Sequence, residues 1–451
     1  MARHFFQNGE RGRPSRGVRR KNERGVALII AVISIAILTA VATEFLYTSR
    51  VDMQMAANQR DDTRAYYMAR SGIGLARMML SFQKQLDSIQ LPPGLAELLG
   101  GGGLGALTGG GTGKTGGVTT PTPTGLNIEL WKLARVDCYM LQGLVDTSGE
   151  GLDSDDIGRR PDSEDPTVDP DTGEISAPGG QRDFGGFNGC FDVKIEAENT
   201  KINLNGLGVP NGSFYRALAL LSEKKFEYLF DEPDANRVET SPQDLIMAFQ
   251  DWVDEDKAGS AIDLSGASLS PLRPGFSDEN MGYSRYQPEY EAKNALFDSL
   301  DEVYMVHGIN DRIMAAFRDR FTVYPDWNKP ANINSEDPLL LVAAIQAIAR
   351  NPADGRLQDP VFMSQVLKSI QTAKAFSFFG FSAKDFVAIV QAHGIEVNPQ
   401  ASTGSSPIIT DKNDTFTLKS TGEAGAIKKT ITAVVRMDQG PMGRLVYWRE
   451  E

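Results

Sequence analysis

The residue types that most often carry catalysis or bind transition metals are scarce in this chain of 451 residues, which has two cysteines and three histidines. His4 lies in a basic N-terminal segment, and His307 and His393 each precede a glycine in a predicted turn. The sequence contains no zinc-ligand spacing, no nucleophile elbow and no Cys-His arrangement. It therefore predicts a protein that is not an enzyme.

Acidic side chains outnumber basic ones beyond the first 25 residues. The formal net charge is −13, and residues 1–25 hold eight basic and two acidic side chains, so the rest of the chain carries −19. Such a surface repels nucleic acid and anionic lipid headgroups and suits cations such as calcium. Hydrophobic residues make up 41% of the sequence, which is enough for two or three folded domains.

Only one long apolar run is present, at residues 26–42, directly after Arg24-Gly25. As a helix it would be roughly 25 Å long, sufficient for a thin bilayer core. The basic segment before it favours a cytoplasmic N-terminus. We therefore predict a single-pass membrane protein with most of the chain on the side opposite the cytoplasm.

Three interpretations of this run remain open. The first is a plain membrane anchor, and the second is a secretory signal that is cut after Ala42. The third is a prepilin-type signal that is cut after Gly25, which leaves Val26 as the first residue. Residues 43–91 continue the helical pattern without proline and with only two glycines. A long helical extension of this kind favours the prepilin-type signal.

The remaining pattern predicts an α+β fold, with a long N-terminal helix and a small antiparallel sheet interrupted by a large inserted helical domain. Along the second half of the long helix, apolar side chains fall near one stripe: Tyr67, Ser71, Leu75, Met78, Met79, Phe82 and Leu86. The predicted segments are a leader (1–25), a membrane helix (26–42), its periplasmic continuation (43–91), a Gly/Pro/Thr-rich linker (92–125), the first part of an α+β domain (126–203) with an acidic loop (146–183), the helical domain (204–394) and C-terminal strands (395–451).

Within the helical domain, the spacing of apolar residues predicts helices over 214–230, 242–253, 290–299, 309–318, 338–349 and 360–375. Both cysteines, Cys138 and Cys190, lie beyond the membrane segment. They are candidates for a disulfide in an oxidising compartment, or for two buried thiols.

Several short motifs stand in a fixed order along the chain. They are Gly-Val-Ala-Leu at 25–28, Arg-Ala-Tyr-Tyr-Met-Ala at 64–69, Lys-Ile-Asn-Leu-Asn at 201–205, Asp-Trp-Val-Asp-Glu-Asp at 251–256, Phe-Asp-Ser-Leu-Asp-Glu-Val at 297–303 and Val-Tyr-Pro at 323–325. In this order, the chain from residue 25 to about 350 resembles the large minor pseudopilin of type II secretion systems, general secretion pathway protein K.

The resemblance implies a pilin-like helix and sheet with an inserted domain of sterile-alpha-like or helix-hairpin-helix-like type. It implies cleavage by prepilin peptidase between Gly25 and Val26, with methylation at Val26. The implied place is the tip of a periplasmic pseudopilus, with two other minor pseudopilins and the major pseudopilin as partners. Secreted substrates or the outer-membrane secretin are further candidate partners.

One departure from the usual pilin pattern fits a place at the tip. Most pilin-type subunits carry a glutamate at the fifth position of the mature helix, where it neutralises a neighbour's N-terminal amine. Here that position is Ile30. A subunit with no neighbour above it has no amine to pair with, although an ordinary anchor predicts the same residue.

An acidic segment is the candidate metal site. Asp254 and Asp256 followed by Gly259 match the start of a calcium loop, but Ala258 and Ser265 fail at later ligand positions, so this is not an EF-hand. The resemblance implies that acidic side chains here bind calcium, and we predict calcium ligands at Asp254 and Asp256. A solvated acidic turn is the alternative.

A turn at residues 307–310 resembles the helix-hairpin-helix that grips DNA phosphates, and Arg312, Arg318 and Arg320 follow it. This motif supports a rival interpretation as the tip pilin of a type IV or DNA-uptake pilus. The acidic net charge argues against it and favours a packing role for the hairpin, so no nucleic acid partner is expected. A membrane-anchored envelope domain without a filament role is the third interpretation.

Overall fold

The computed structural model describes residues 23–87, 129–133, 136–138, 183–184, 187–231, 240–264, 270–352, 354–376, 381–403 and 407–451. The predicted linker, residues 1–22 of the predicted leader and residues 146–182 of the predicted acidic loop lie outside these ranges. The chain divides into two units, Met1–Asp61 and Asp62–Glu451.

The described helices are α1 (Glu23–Asp87), α2 (Leu130–Leu133), α3 (Ser213–Leu221), α4 (Pro242–Val253), α5 (Asp311–Phe317), α6 (Pro338–Ile348), α7 (Pro360–Phe376) and α8 (Ala383–Ala392). The described strands are β1 (Val136–Asp137), β2 (Asp183–Phe184), β3 (Phe187–Asn188), β4 (Cys190–Ala197), β5 (Ile202–Asn203), β6 (Ala258–Ile262), β7 (Leu272–Asp278), β8 (Phe321–Thr322), β9 (Ala331–Asn332), β10 (Ile409–Thr410), β11 (Thr415–Ala424), β12 (Ile427–Arg436) and β13 (Arg444–Glu450).

Helix α1 contains the apolar run predicted to cross the membrane. Its large apolar side chains from Val26 to Val41 are each more than half exposed. Among the described residues it is the one helix long and apolar enough to span a bilayer, judged by length and composition. The predicted single candidate span is therefore present as a helix.

The second half of α1 packs on the sheet through a face that includes three alanines. The buried residues of this face recur every three or four positions and are Ala65, Ala69, Ile73, Ala76 and Leu80. They pack against the apolar face of the five-stranded sheet, including Phe191, Val193 and Leu418. The three alanines of this face allow a close approach of helix and sheet.

The apolar stripe that we predicted on α1 is a different face. Tyr67, Met78 and Phe82 are 58%, 46% and 58% exposed, whereas Leu75 and Met79 pack partly against the core. The helix has two apolar faces, and periodicity alone does not determine which one the sheet covers. The face with the smaller side chains lies against the sheet.

The five-stranded sheet is antiparallel, in the order β1-β4-β11-β12-β13. A two-residue turn joins β11 to β12, and its first residue, Gly425, has φ 57°. Left-handed backbone is favourable for glycine and suits a tight hairpin. The predicted C-terminal strands are confirmed, with β11 and β12 longer than the sequence pattern indicated.

The helical domain is inserted between two neighbouring strands of this sheet. Phe416 of β11 lies opposite Ala197 of β4, although residues 198–414 separate the two strands in sequence. At the neck of the insertion, the Asn199 Oδ1 accepts hydrogen bonds from the backbone N–H groups of Asp414 (3.1 Å) and Thr415 (2.8 Å). The predicted α+β fold class with a large insertion is confirmed.

The insertion has two hydrophobic cores. The first gathers α3, α4 and α5 around buried side chains such as Phe214, Phe249 and Phe317. The second gathers α6, α7 and α8 and also includes Ile408 and Ile409. It therefore extends beyond residue 394, where the sequence pattern placed the end of the domain.

One predicted helix, over residues 290–299, is wrong. The segment is extended and irregular, and Asn294 has φ 51°. Two of its backbone N–H groups bind neighbouring elements instead of forming helical hydrogen bonds. The Ala292 N–H donates to the Asn280 side chain (2.9 Å), and the Ala295 N–H donates to the carbonyl of Trp252 (3.3 Å). The antiparallel hairpin of β6 and β7 was not predicted either.

Candidate cation site at the base of a hairpin

Helix α4 places the first acidic residue of the site. Ser241 and Asp244 form a capping box at its start, and Pro242 occupies its first turn. Leu245, Phe249 and Trp252 bury its apolar face in the first core of the insertion. The helix ends at Val253, and Asp254 is its C-terminal cap residue.

The hairpin that follows α4 brings a third acidic residue back to this point. Asp256 lies just before β6, and its Oδ1 accepts a hydrogen bond from the Ala258 N–H (2.8 Å). Strand β7 returns antiparallel to β6, so Glu279, directly after β7, donates its N–H to the carbonyl of Lys257 (3.4 Å). The two ends of the hairpin thus meet beside the end of α4.

The carboxylates of Asp254, Asp256 and Glu279 converge, with one oxygen from each lying within 4.8 Å of the others. The structure brings together the two residues predicted as calcium ligands and adds Glu279. Sequence reasoning missed Glu279 because it lies 23 positions after Asp256. The signal that identifies it is the hairpin, since an antiparallel pair returns the chain to its starting point.

Several oxygens in this cluster are buried without a hydrogen-bond donor. They are Oδ1 of Asp254 and both carboxylate oxygens of Glu279, a residue only 6% exposed. The other oxygen of Asp254 accepts from the Gln250 side chain (3.3 Å). Burying a carboxylate without a partner is energetically costly. A positively charged ligand bound by these oxygens would offset that cost.

The electrostatics of the cluster agree with its geometry. Burial, opposed by the hydrogen bond from Gln250 and assisted by the neighbouring carboxylates of Asp256, Asp251 and Glu279, raises the pKa of Asp254 to about 7. Burial also raises the pKa of Glu279, with Asp251 and Asp256 contributing. A divalent cation would relieve this repulsion.

The donor set fits calcium. All three side chains offer hard oxygen ligands, which calcium prefers, and the cluster has no sulfur or imidazole donor of the kind that favours zinc. The unpartnered oxygens of Asp254 and Glu279 are an independent indication that the site accepts a cation.

The other predicted site residues lie elsewhere in the chain. Gly25 and Val26 are in α1, and a Cβ atom at Gly25 would have no contact within 4 Å outside its own stretch of helix. Cys138 and Cys190 are joined by a disulfide in the structure, and both are buried, with 3% and 5% exposure. This bond links the end of β1 to the start of β4.

The helix-hairpin-helix-like turn is directed inward. Its glycine, Gly308, has φ 85°, and the following helix α5 has seven residues. All three nearby arginines bind protein groups: Arg312 donates to the carbonyl of Tyr228 (3.4 Å), Arg318 forms an ion pair with Asp301, and the Nε of Arg320 lies 2.6 Å from a carboxylate oxygen of Asp337. These contacts suit a packing motif better than a DNA-phosphate site.

No protein-family model matches this chain. No curated protein matches it significantly. Among solved structures, the chain is similar to one in the crystal structure of the GspK-GspI-GspJ complex from the type 2 secretion system of enterotoxigenic Escherichia coli. That similarity has a TM-score of 0.40 and 16% sequence identity, and it covers 59% of this chain and 81% of the other.

Proposed function

We propose that this protein is a non-enzymatic minor pseudopilin of a type II secretion system, anchored in the inner membrane by the start of α1. The observation that carries the proposal is the construction of α1. Its first part is apolar and exposed over a membrane length, and its second part packs one face on a small antiparallel sheet. This is the arrangement expected of a subunit that joins a filament through its N-terminal helix.

The second apolar face of α1 supports a filament role. Tyr67, Met78 and Phe82 are exposed along one side of the helix, opposite the side chains that contact the sheet. Exposed apolar stripes of this kind are typical of surfaces that pack against other proteins. The proposed partners for this stripe are the N-terminal helices of two other minor pseudopilins and of the major pseudopilin.

The proposed place is the tip of the pseudopilus. It is supported by Ile30, which has no carboxylate to offer to a subunit above it. In this proposal, the inserted domain of residues 198–414 limits further addition of subunits and contacts secreted substrates or the outer-membrane secretin.

Mass spectrometry of the N-terminus of the membrane-fraction protein tests the proposal. Processing by prepilin peptidase yields a chain that begins at Val26, with an added methyl group. Gly25→Val should block this cleavage without disturbing the fold, because a Cβ atom at this exposed position would have no contact within 4 Å outside its own stretch of helix. A mature chain that begins at Thr43 would mean ordinary secretion and would overturn the proposal.

We also propose that the carboxylate cluster binds calcium and fixes the base of the β6–β7 hairpin. Calorimetric titration of the metal-free full chain in detergent with calcium chloride tests this. Asp256→Asn and Glu279→Gln should weaken binding by about tenfold or more, because each removes ligand charge. Glu255→Gln is the matched control, since Glu255 is an exposed neighbour outside the cluster.

Removal of calcium should also lower the melting temperature of the wild-type chain. Ligand binding to the folded state alone stabilises it by mass action, by about 2.7 kcal/mol at a free concentration 100 times the dissociation constant. A melting temperature that is the same with calcium and with chelator, together with no heat of binding at millimolar calcium, would exclude the site.

A further inference from the structure

A cavity lies between α2 and the second core of the insertion. Its volume is about 460 Å³, which is within the range of small-molecule sites. Glu129 and Lys132 line it at α2, whereas Glu336, Lys374 and Phe381 line it from the insertion. The carboxylate cluster and the exposed side chains of α1 are not among its lining residues, so the proposed function assigns no role to this cavity.

Lys374 contributes a positive charge to the cavity wall. Among the described residues, its Nζ donates to two acceptors, the backbone carbonyls of Ile333 and Ser335, each at 3.0 Å. Both acceptors are neutral, so neither offsets the charge of the lysine. An ammonium group has three N–H donors, and the third remains for a ligand.

Lys132 is a second cation in the wall. Burial, assisted by the charge of Lys132 and opposed by Glu129 and Glu336, lowers the pKa of Lys374 to about 8, so the two cations lie close enough to repel each other. Glu129 is already engaged, because its carboxylate binds the Lys132 Nζ (2.7 Å) and the Asn413 Nδ2 (2.9 Å). An anion placed between the two lysines would offset their repulsion.

The remaining wall is partly apolar. Leu341, Ala375 and Phe381 line the cavity beside the charged groups, and the centre of the Phe381 ring lies 5.9 Å from the Lys374 Nζ. The two carboxylates of the wall disfavour a dianion such as phosphate. The wall therefore suits a molecule with an apolar body and a single negative charge.

We propose that this cavity binds a small organic carboxylate with an apolar body, whose carboxylate accepts a hydrogen bond from the Lys374 Nζ. Its negative charge lies between Lys374 and Lys132, and its apolar body lies against Phe381. A free carboxylate and the carboxyl-terminal residue of a peptide offer the same chemistry. Because Lys132 belongs to α2 and Lys374 to the insertion, the bound carboxylate joins these two parts of the protein.

Ligand-observed NMR titration of the full chain in detergent at neutral pH tests this, with hydrocinnamate as the probe and a detergent blank. Hydrocinnamamide has the same apolar body without the charge and should bind about tenfold more weakly or worse. Lys374→Met should weaken hydrocinnamate binding by a similar factor, because it removes the charged donor and keeps an unbranched side chain. Lys368→Met is the control, since Lys368 is an exposed lysine of α7 outside the cavity wall. Circular dichroism checks that each variant is folded.

Two further measurements separate recognition of charge from a change in packing. Glu336→Gln should tighten hydrocinnamate binding by about twofold or more, because it removes a competing negative charge. Binding by the wild type should weaken above about pH 8 as Lys374 loses its proton, and Lys374→Met should lack this dependence. Titration with N-acetylphenylalanine distinguishes the two sources. Tighter binding than hydrocinnamate indicates the end of a peptide, and equal or weaker binding indicates a free carboxylate.

Three results would overturn the proposal. They are equal affinity for hydrocinnamate and its amide, wild-type affinity in Lys374→Met, and no binding of either carboxylate at millimolar concentration. None of them would bear on the proposed pseudopilin role, which does not depend on this cavity.

Discussion

Two glycines allow α1 and the sheet to touch at very short range. A Cβ atom at Gly422 of β11 would overlap the backbone oxygen of Ala65 and the backbone nitrogen of Ala69. A Cβ atom at Gly72 of α1 would lie 2.8 Å from Val193 and 2.9 Å from Phe191. At Gly422 the obstacle is backbone, which cannot turn aside as a flexible side chain can. The contact between helix and sheet therefore depends most on this position.

Gly422→Ala should destabilise the protein by about 1–3 kcal/mol or more, because overpacking against fixed backbone forces the helix and sheet apart. Gly74→Ala is the control on the same helix, since its side chain would meet open space. That control should stabilise the helix by up to about 1 kcal/mol. Thermal and urea unfolding followed by circular dichroism measures both. Wild-type stability in Gly422→Ala would contradict the close packing described here.

Lys374 is a partly buried cation in α7. Its Nζ donates to the carbonyls of Ile333 and Ser335, each at 3.0 Å. The pKa of Lys374 is lowered to about 8, mainly by burial and also by the charge of Lys132, while Glu129 and Glu336 oppose this effect. The folded protein therefore binds this proton more weakly than an exposed lysine would.

This pKa makes stability depend on pH. An exposed lysine has a pKa of 10.5, so between about pH 8 and 10.5 the unfolded chain holds more protons at this site than the folded one. The free energy of unfolding should rise across this window, by roughly 3 kcal/mol at most. Denaturant unfolding between pH 8 and 10 measures the slope, and Lys374→Met should lack this contribution. Equal slopes in wild type and variant would contradict the lowered pKa.

Strand β1 illustrates how a short element is held in place. It has two residues, Val136 and Asp137, which lie opposite Val193 and Asp192 of β4. So few ladder hydrogen bonds are marginal on their own. The disulfide between Cys138 and Cys190 fastens the end of β1 to β4 across a sequence separation of 52 residues.

Loss of this disulfide should lower the free energy of unfolding by about 2–4 kcal/mol, mainly because the unfolded chain regains the freedom of a long loop. Melting of the wild type with and without reductant measures the effect. The double variant Cys138→Ala with Cys190→Ala should melt like the reduced wild type and should not respond to reductant. A wild-type melting temperature unaffected by full reduction would contradict the prediction.

The sequence predicted those elements whose signals are local. Helix α4 was predicted with its observed bounds because Ser241 and Pro242 mark its start and the apolar spacing ends at Val253. The segment at 290–299 failed because contacts with Trp252 and Asn280, not its own spacing, determine its backbone. Two of the three clustered carboxylates, Asp254 and Asp256, were predicted because they are close together in sequence. Glu279 joins them only through the pairing of β6 with β7.

Charge distinguishes the proposed filament role from the DNA-uptake alternative. The chain after residue 25 carries −19, whereas the first 25 residues carry eight of the basic side chains. The arginines that follow the hairpin turn are engaged with Tyr228, Asp301 and Asp337. Any attraction to DNA phosphates should therefore reside in the leader and disappear when it is removed.

The processed chain beginning at Val26 should not be retained on immobilised duplex DNA at low salt. The unprocessed chain, which keeps the leader, should be retained weakly and released as salt rises, because phosphate binding depends on counterion release. Chromatography of the two forms over a salt gradient measures the difference. Salt-dependent retention of the processed form would favour the DNA-uptake interpretation.

The neck of the insertion has a consequence for the order of folding. Synthesis proceeds from the N-terminus, so β4 is made before β11. The edge of β4 that pairs with β11 therefore stays unpaired until residues 198–414 have been made. Closing so long an unstructured loop is slow and entropically costly, whereas a folded insertion already brings its two ends together. Asn199 then joins them by binding the backbone of Asp414 and Thr415. We therefore expect the insertion to fold before β11 pairs with β4, so that the sheet is completed last.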